Sequence, residues 1–214
     1  MRALREVVEE EGLFCSLYSD RASHFWLTPK AGEPVDRQAL TQVGRAMREL
    51  GAQMIPAYSP QARGRSERAF RTWQGRLPQE LRLAGITTLD EANRFLRERY
   101  VAEFNGRFSV TAAQAGTAFV PCRRTDLDRV FSLQHERVVA RDNTVSFARL
   151  TLQIERQRWR STLSGCRVTV YEHLDGTLSL GFGTHEVGRY DSEGTPLRAA
   201  AKDEVKKAVK KRAA

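Results

Sequence analysis

Two acids stand out by the company they keep. Asp20 lies in Cys15-Ser-Leu-Tyr-Ser-Asp20-Arg-Ala-Ser-His-Phe25, and Glu67 in Tyr58-Ser-Pro-Gln-Ala-Arg-Gly64-Arg-Ser-Glu67. The apolar run Leu13-Phe14-Cys15 with Leu17 and Tyr18 reads as a buried strand, so Asp20 projects from its C-terminal edge. Glu67 follows a loop containing Pro60 and Gly64 and opens a stretch whose apolar residues recur at helical spacing. A carboxylate at a strand end and another on the first turns of a helix suit a metal-dependent site acting on phosphodiesters, because hard divalent cations take oxygen ligands.

The elements that must position these acids follow from periodicity. At about 100° per residue, Phe70, Trp73, Leu77, Leu81 and Ala84 share one stripe, while Glu67, Arg71 and Gln74 share a polar strip. Pro78 lacks an N–H and crowds the carbonyl four residues back, which predicts a kink or restart there. Upstream, Arg2–Glu11 is an amphipathic helix stopped by Gly12, Arg37–Leu50 a second helix, and Ala52–Ile55 a short strand. Downstream, Leu89–Phe104 is a helix capped by Thr88 with Glu91 in a capping box, ending at Asn105-Gly106-Arg107-Phe108. This alternation is that of an α/β core.

The pattern changes near Pro121 to period two. Val138, Ala140, Val145 and Phe147 flank Asp142-Asn143 as one hairpin, and Arg167–Phe182 forms another around Asp175-Gly176. His185–Asp191 adds a strand. Five or so short strands in about 70 residues leave no room for a second sheet and predict a small antiparallel barrel. Residues 1–121, 122–195 and 196–214 thus read as a core, a small β-domain and a basic flexible tail.

The 214 residues carry a net charge of +9, with 41% hydrophobic and 8% aromatic residues, which describes a globular chain and not a disordered one. The charge is uneven: residues 61–82 hold six arginines against two glutamates, and residues 196–214 seven cations against two acids. Both segments suit a polyanion. Arg63, Arg65, Arg68 and Arg71, with Gln61, surround Glu67 and are candidate DNA contacts, though such runs also serve as solvated helix faces. Trp159, flanked by arginines in Glu155-Arg-Gln-Arg-Trp159-Arg, is a candidate base-stacking residue or a loop residue between strands. Trp26 and Trp73 read as packing residues. Cys15, Cys122 and Cys166 are odd in number and far apart, so buried free thiols are expected and a disulfide framework is not. The four histidines lack zinc-site spacing. No window approaches the roughly 18 apolar residues of a membrane span, which places the chain in the cytoplasm.

The strings around Asp20 and Glu67, followed by Arg-Leu-x-x-Glu-Leu-Arg-Leu-Ala-Gly-Ile86 and Glu103-Phe-Asn105-x-Arg107-Phe108, resemble the catalytic core of insertion-sequence transposases of the ISNCY type, which are similar to retroviral integrases. The likeness covers residues 1–121, and more loosely the β-domain through Val170-Tyr-Glu-His-Leu-Asp-Gly-Thr-Leu178. It implies an RNase H-like core, partial here with its first strands missing, followed by an SH3-like β-barrel. It also implies three acids holding two Mg²⁺ or Mn²⁺ ions that cleave DNA and transfer the freed strand, with element ends and target DNA as partners, a homo-oligomeric assembly, and a nucleoid-associated location. By position Asp20 corresponds to the second acid and Glu67 to the third. No aspartate precedes Asp20, so the first acid and the helix-turn-helix region that precede this segment in the family are absent. The reading is an N-terminally truncated DDE transposase, catalytically incomplete and holding metal weakly if at all. The alternatives are a noncatalytic DNA-binding remnant and an RNase H-type nuclease unrelated to transposition.

Overall fold

The computed structural model describes residues 1–30, 33–111 and 113–197; within the helix that follows residue 59, the side chains of 60, 62 and 65 lie outside this description. The Arg65 assignment and most of the 196–214 tail therefore fall outside the described residues. The chain divides into two compact units. The first comprises Met1–Leu17, Ser23–Met54 and everything from Phe119 onward, and the second Tyr18–Ala22 with Ile55–Ala118.

In the first unit, helix α1 (Arg2–Glu10) buries Val8, and α2 (Gln42–Leu50) buries Val43, Ala46 and Met47. Helix α2 starts five residues later than its apolar pattern predicts. Thr41 is the reason, because its hydroxyl accepts from the Gly44 N–H at 3.0 Å and fixes the first turn there. These residues share one core with Val130 and Phe131 of and beside the short helix α6 (Leu127–Val130). Gly12, at φ +108°, lets the chain pass so close to Val120 that a Cβ would fall 2.5 Å from its carbonyl oxygen. Leu13 and Val120 exchange backbone hydrogen bonds at that crossing.

Strands β1 (Ser16–Ser19) and β2 (Gln53–Pro56) form a two-stranded sheet. The Gln53 N–H donates to Cys15 and the Ala57 N–H to Ser19, an equal offset that makes the strands parallel. The expected buried strand is instead half-exposed: Ser16 and Tyr18 face outward while Ser19 is buried, and Cys15 is exposed. All three cysteines are free, but none is buried, so that part of the expectation is corrected.

The second unit is helical. Helix α3 (Pro60–Leu83) runs as one element through Pro78, with no restart. The predicted stripe on it is only partly covered: Trp73 packs on Tyr100 and Phe104, whereas Phe70 is 60% exposed. Helix α4 (Leu89–Phe95) carries the expected capping box, in which the Glu91 N–H donates to Thr88 Oγ1 and the Thr88 hydroxyl donates to the Glu91 carboxylate. That bond holds the Glu91 carboxyl below its ordinary pKa. A π-helical turn over Leu96–Tyr100 joins α4 to α5 (Val101–Phe108), which runs through Asn105 and Gly106 and does not stop at them. The wider turn brings Phe95, Tyr100 and Phe104 into one aromatic cluster.

The C-terminal strands are β3 (Leu133–Val138), β4 (Thr144–Phe147), β5 (Leu150–Gln153), β6 (Arg167–Glu172), β7 (Leu178–Phe182) and β8 (His185–Tyr190). They form a four-stranded antiparallel sheet in the order β3-β6-β7-β8 and a ribbon of β4 and β5. The hairpin around Asp175-Gly176 has the predicted facing, with Val170 opposite Leu180. The first predicted hairpin does not form, because β3 pairs with β6 and β4 turns back on β5. The expectation that a second sheet would not fit is likewise corrected. Both sheets share a core of Val145, Leu152, Val168, Val170, Leu180, Val187 and Tyr190. Among the described residues no helix is long and apolar enough to cross a membrane.

Candidate functional site

Strand β1 ends at Ser19, and the next residue, Asp20, leaves the strand half-buried. Its carboxylate is held from two sides. Oδ1 accepts from the Ala22 N–H at 3.2 Å, a turn-forming bond of the kind aspartate makes two residues ahead, and Oδ2 meets the Arg63 guanidinium at 3.3 Å. Arg63 lies in the first turn of α3, and Glu67 is one helical turn further along the same face, about 6 Å up the axis. Asp20 and Glu67 thus belong to the same unit, and Arg63 links the strand end to the helix that carries Glu67.

Arg71 continues this face one turn beyond Glu67, and Gln61, Glu67, Arg68 and Arg71 are all exposed. Arg63 is the exception among the candidate contacts, with its side chain 32% exposed and paired to Asp20. Behind Asp20, the Arg21 guanidinium stacks over the Tyr58 ring at 5.2 Å, pinning the segment after β1 to the segment after β2.

The carboxylate oxygens of Asp20 and Glu67 suit a hard divalent cation in kind. In number they fall short. Among the described residues no group of three Asp, Glu, His or Cys side chains is placed to hold one ion, and Asp20 already has a cationic partner. No chemical step is assigned to a metal on this chain alone.

Other concave surface lies in the first unit. A cleft of about 320 Å³ is lined by Phe25, Trp26, Asp36, Leu40, Thr41 and Met54, among others, and contains neither acid. Asp36 collects the Gln38 and Ala39 N–H groups, which hold its carboxyl below the ordinary range. Trp26 is 7% exposed and is a packing residue, as expected. Trp159 is 46% exposed and lies nearly parallel to Phe182, with ring centroids 6.0 Å apart and planes at 15°. His185 is 4.8 Å from the same indole. Phe182 and His185 escaped the sequence reading, although the two residues between them, Gly183-Thr184, form a turn that sets them side by side across β7 and β8.

The geometry so far is that of a strand-end acid joined to an arginine-bearing helix, followed by an antiparallel β-rich segment. The chain groups by sequence with the transposases of insertion sequences. It is 32% identical over 204 residues to the proposed transposase y4bF of Sinorhizobium fredii, a match covering 94% of this chain and 42% of that protein. It is 34% identical over 105 residues to the transposase for insertion sequence IS1202 of Streptococcus pneumoniae, covering 49% of this chain and 22% of that protein. The chain spans less than half the length of these relatives. No protein-family model matches it.

Proposed function

We propose that this chain carries two of the three acids of a metal-dependent DNA-joining site, Asp20 and Glu67, within the RNase H-like core of a DDE transposase, and that the β-rich segment after it is an SH3-like barrel. The observation that carries this reading is the placement of Asp20 against α3 through Arg63, one turn before Glu67, in a chain related to transposases along nearly its whole length. In this reading Asp20 and Glu67 are metal ligands for Mg²⁺ or Mn²⁺, a third acid comes from outside these residues, and the chain alone neither cleaves nor joins DNA. The exposed guanidinium groups of Arg68 and Arg71 contact phosphates beside the site, so binding weakens steeply with salt. The partners are the element's ends and its target DNA, in a homo-oligomer of the longer protein.

A second reading draws on the same aspartate. The Asp20 carboxylate caps its own turn and pairs with Arg63, which suits a structural residue in a noncatalytic DNA-binding protein. DNA joining by a longer form that includes the preceding coding region separates the two. Under the catalytic reading the longer form joins DNA, Asp20→Asn and Glu67→Gln each abolish joining without unfolding it, and the 214-residue chain does not nick supercoiled plasmid with Mg²⁺ or Mn²⁺. Joining that survives Asp20→Asn favours the structural role. Robust nicking by the short chain, abolished by Asp20→Ala, refutes the claim that it is incomplete.

A further inference from the structure

The segment between β5 and β6 is anchored at both ends and basic in the middle. At its start Ile154, 3% exposed, donates its N–H to Asn143, and the Glu155 N–H donates to Val187 of β8. At its end Leu163, 1% exposed, donates to the Asn143 side-chain oxygen at 2.8 Å. Between these anchors Arg156, Arg158 and Arg160 alternate with Gln157 and Trp159, and all three arginines are exposed. Trp159 is stacked, nearly parallel and offset, with Phe182 and packs against His185, while nearly half of the residue's surface stays in solvent. The Arg160 guanidinium sits over the same Phe182 ring, 5.8 Å from its centroid.

A large ring kept at the surface by an aromatic support, inside a cluster of three cations, is costly for packing alone, since an inward Trp would bury far more area. It matches what an unpaired base requires: an aromatic ring to stack on and exposed guanidinium groups beside it for the backbone phosphates. Duplex DNA offers only its phosphates to such a surface, because its bases are already stacked on each other.

We propose that Trp159, backed by Phe182 and His185 and flanked by Arg158 and Arg160, is a stacking platform for an unpaired base of single-stranded DNA. The choice of DNA rests on the transposase reading; the platform itself rests on the rings and charges. Its role is to hold an unpaired nucleotide, as at a frayed or nicked DNA end, independently of Asp20 and Glu67.

The test titrates the full 214-residue chain with a dT oligonucleotide, a duplex of equal length and a U oligonucleotide, following anisotropy of labelled nucleic acid and intrinsic tryptophan emission. Single-stranded DNA should quench the emission, and most of the quench should be lost in Trp159→Phe, because Trp26 is buried and Trp73 is only partly exposed, packed on Tyr100 and Phe104. Trp159→Leu, which keeps an apolar cover over Phe182 without a π-face, should lower affinity for dT between about fivefold and 150-fold and leave duplex affinity within twofold. Trp159→Phe should retain most of the affinity. If Trp159→Leu leaves dT binding unchanged while Arg158→Ala with Arg160→Ala weakens dT and duplex alike, the surface reads phosphates only and the inference falls. Tighter binding of the U oligonucleotide than of dT overturns the assignment to DNA. Loss of DNA joining in the longer form through Asp20→Asn does not bear on this result, and stacking by this chain together with a longer form that joins no DNA would refute the proposed function while leaving the platform intact.

Discussion

Gly188 is where one methyl group should do the most damage. Tyr190, two residues along β8 on the same face, folds its ring back over Gly188 and is fully buried. A Cβ at 188 would stand 2.7 Å from Tyr190 Cζ and 2.9 Å from Cε2, well inside the 3.5–4.0 Å of favourable carbon contact. The ring cannot yield in place, because its hydroxyl donates to the Gln153 carbonyl at 2.5 Å and so ties β8 to β5. Overpacking of this kind costs about 1–3 kcal/mol, and breaking the buried hydrogen bond about 1 kcal/mol more. Against that, alanine is better than glycine in a strand by about 0.5–1 kcal/mol. Gly188→Ala should therefore destabilise by about 1–3.5 kcal/mol, read as a lower urea midpoint and faster hydrogen exchange of amides 167–190. In a Tyr190→Ala background the clash is gone, and the same Gly188→Ala change should be neutral or stabilising. Equal costs in the two backgrounds would refute the argument, since additivity means that the two residues do not collide.

Three further outcomes are expected of the same fold. Arg63→Ala frees the Asp20 carboxylate, and because a pair about one third exposed on each side is worth about 0.2–1 kcal/mol, Mn²⁺ binding measured by spin resonance should strengthen between about 1.4-fold and fivefold; weaker binding would mean that Arg63 helps to build the site. The carboxylates of Asp175 and Asp191 sit in turns, where N–H groups of Thr177 and Thr195 hold them below the ordinary range; their stabilisation is present above the unfolded carboxyl pKa of about 3.9 and is lost as pH falls through the lower folded values, so the urea midpoint should drop on acidification toward pH 3, and less so in Asp191→Asn. His173 is buried with Nδ1 donating to the Asp128 carbonyl and Nε2 accepting from the Ser179 hydroxyl, so His173→Ala leaves both partners unsatisfied and should cost about 1–3 kcal/mol in chemical denaturation.

The elements with local signals were legible in the sequence. Thr88 and Glu91 announced the start of α4, and Asp175-Gly176 announced the β6–β7 hairpin with its facing residues. Strand partners set by distant residues were not. The bend at Asp142-Asn143 is real, with the Ala140 N–H donating to Thr144, but β3 ends before it and pairs with β6, thirty or so residues on, while β4 pairs with β5 on the far side of the bend. The apolar stripe on α3 also misled at Phe70, since periodicity says which residues share a face and not whether anything covers that face. At the candidate site, the residue types were readable, and the Arg63–Asp20 contact was not, because no pattern in either segment specifies a pairing across so long a stretch of chain.

The energetic weight of that contact bears on what it is for. A pair with about a third of each side chain exposed contributes little to folding, whereas the β-rich core that packs around Leu152, Leu180 and Tyr190 removes large apolar surfaces from water completely. Stability therefore gives no strong reason to place a guanidinium against a strand-end carboxylate one helical turn from a second acid. Under the proposed metal-binding role a weak, replaceable counter-ion would have a use, because it costs little to displace when a cation arrives. Asp20 and Arg63 meet that description, and a buried, fully satisfied pair would not.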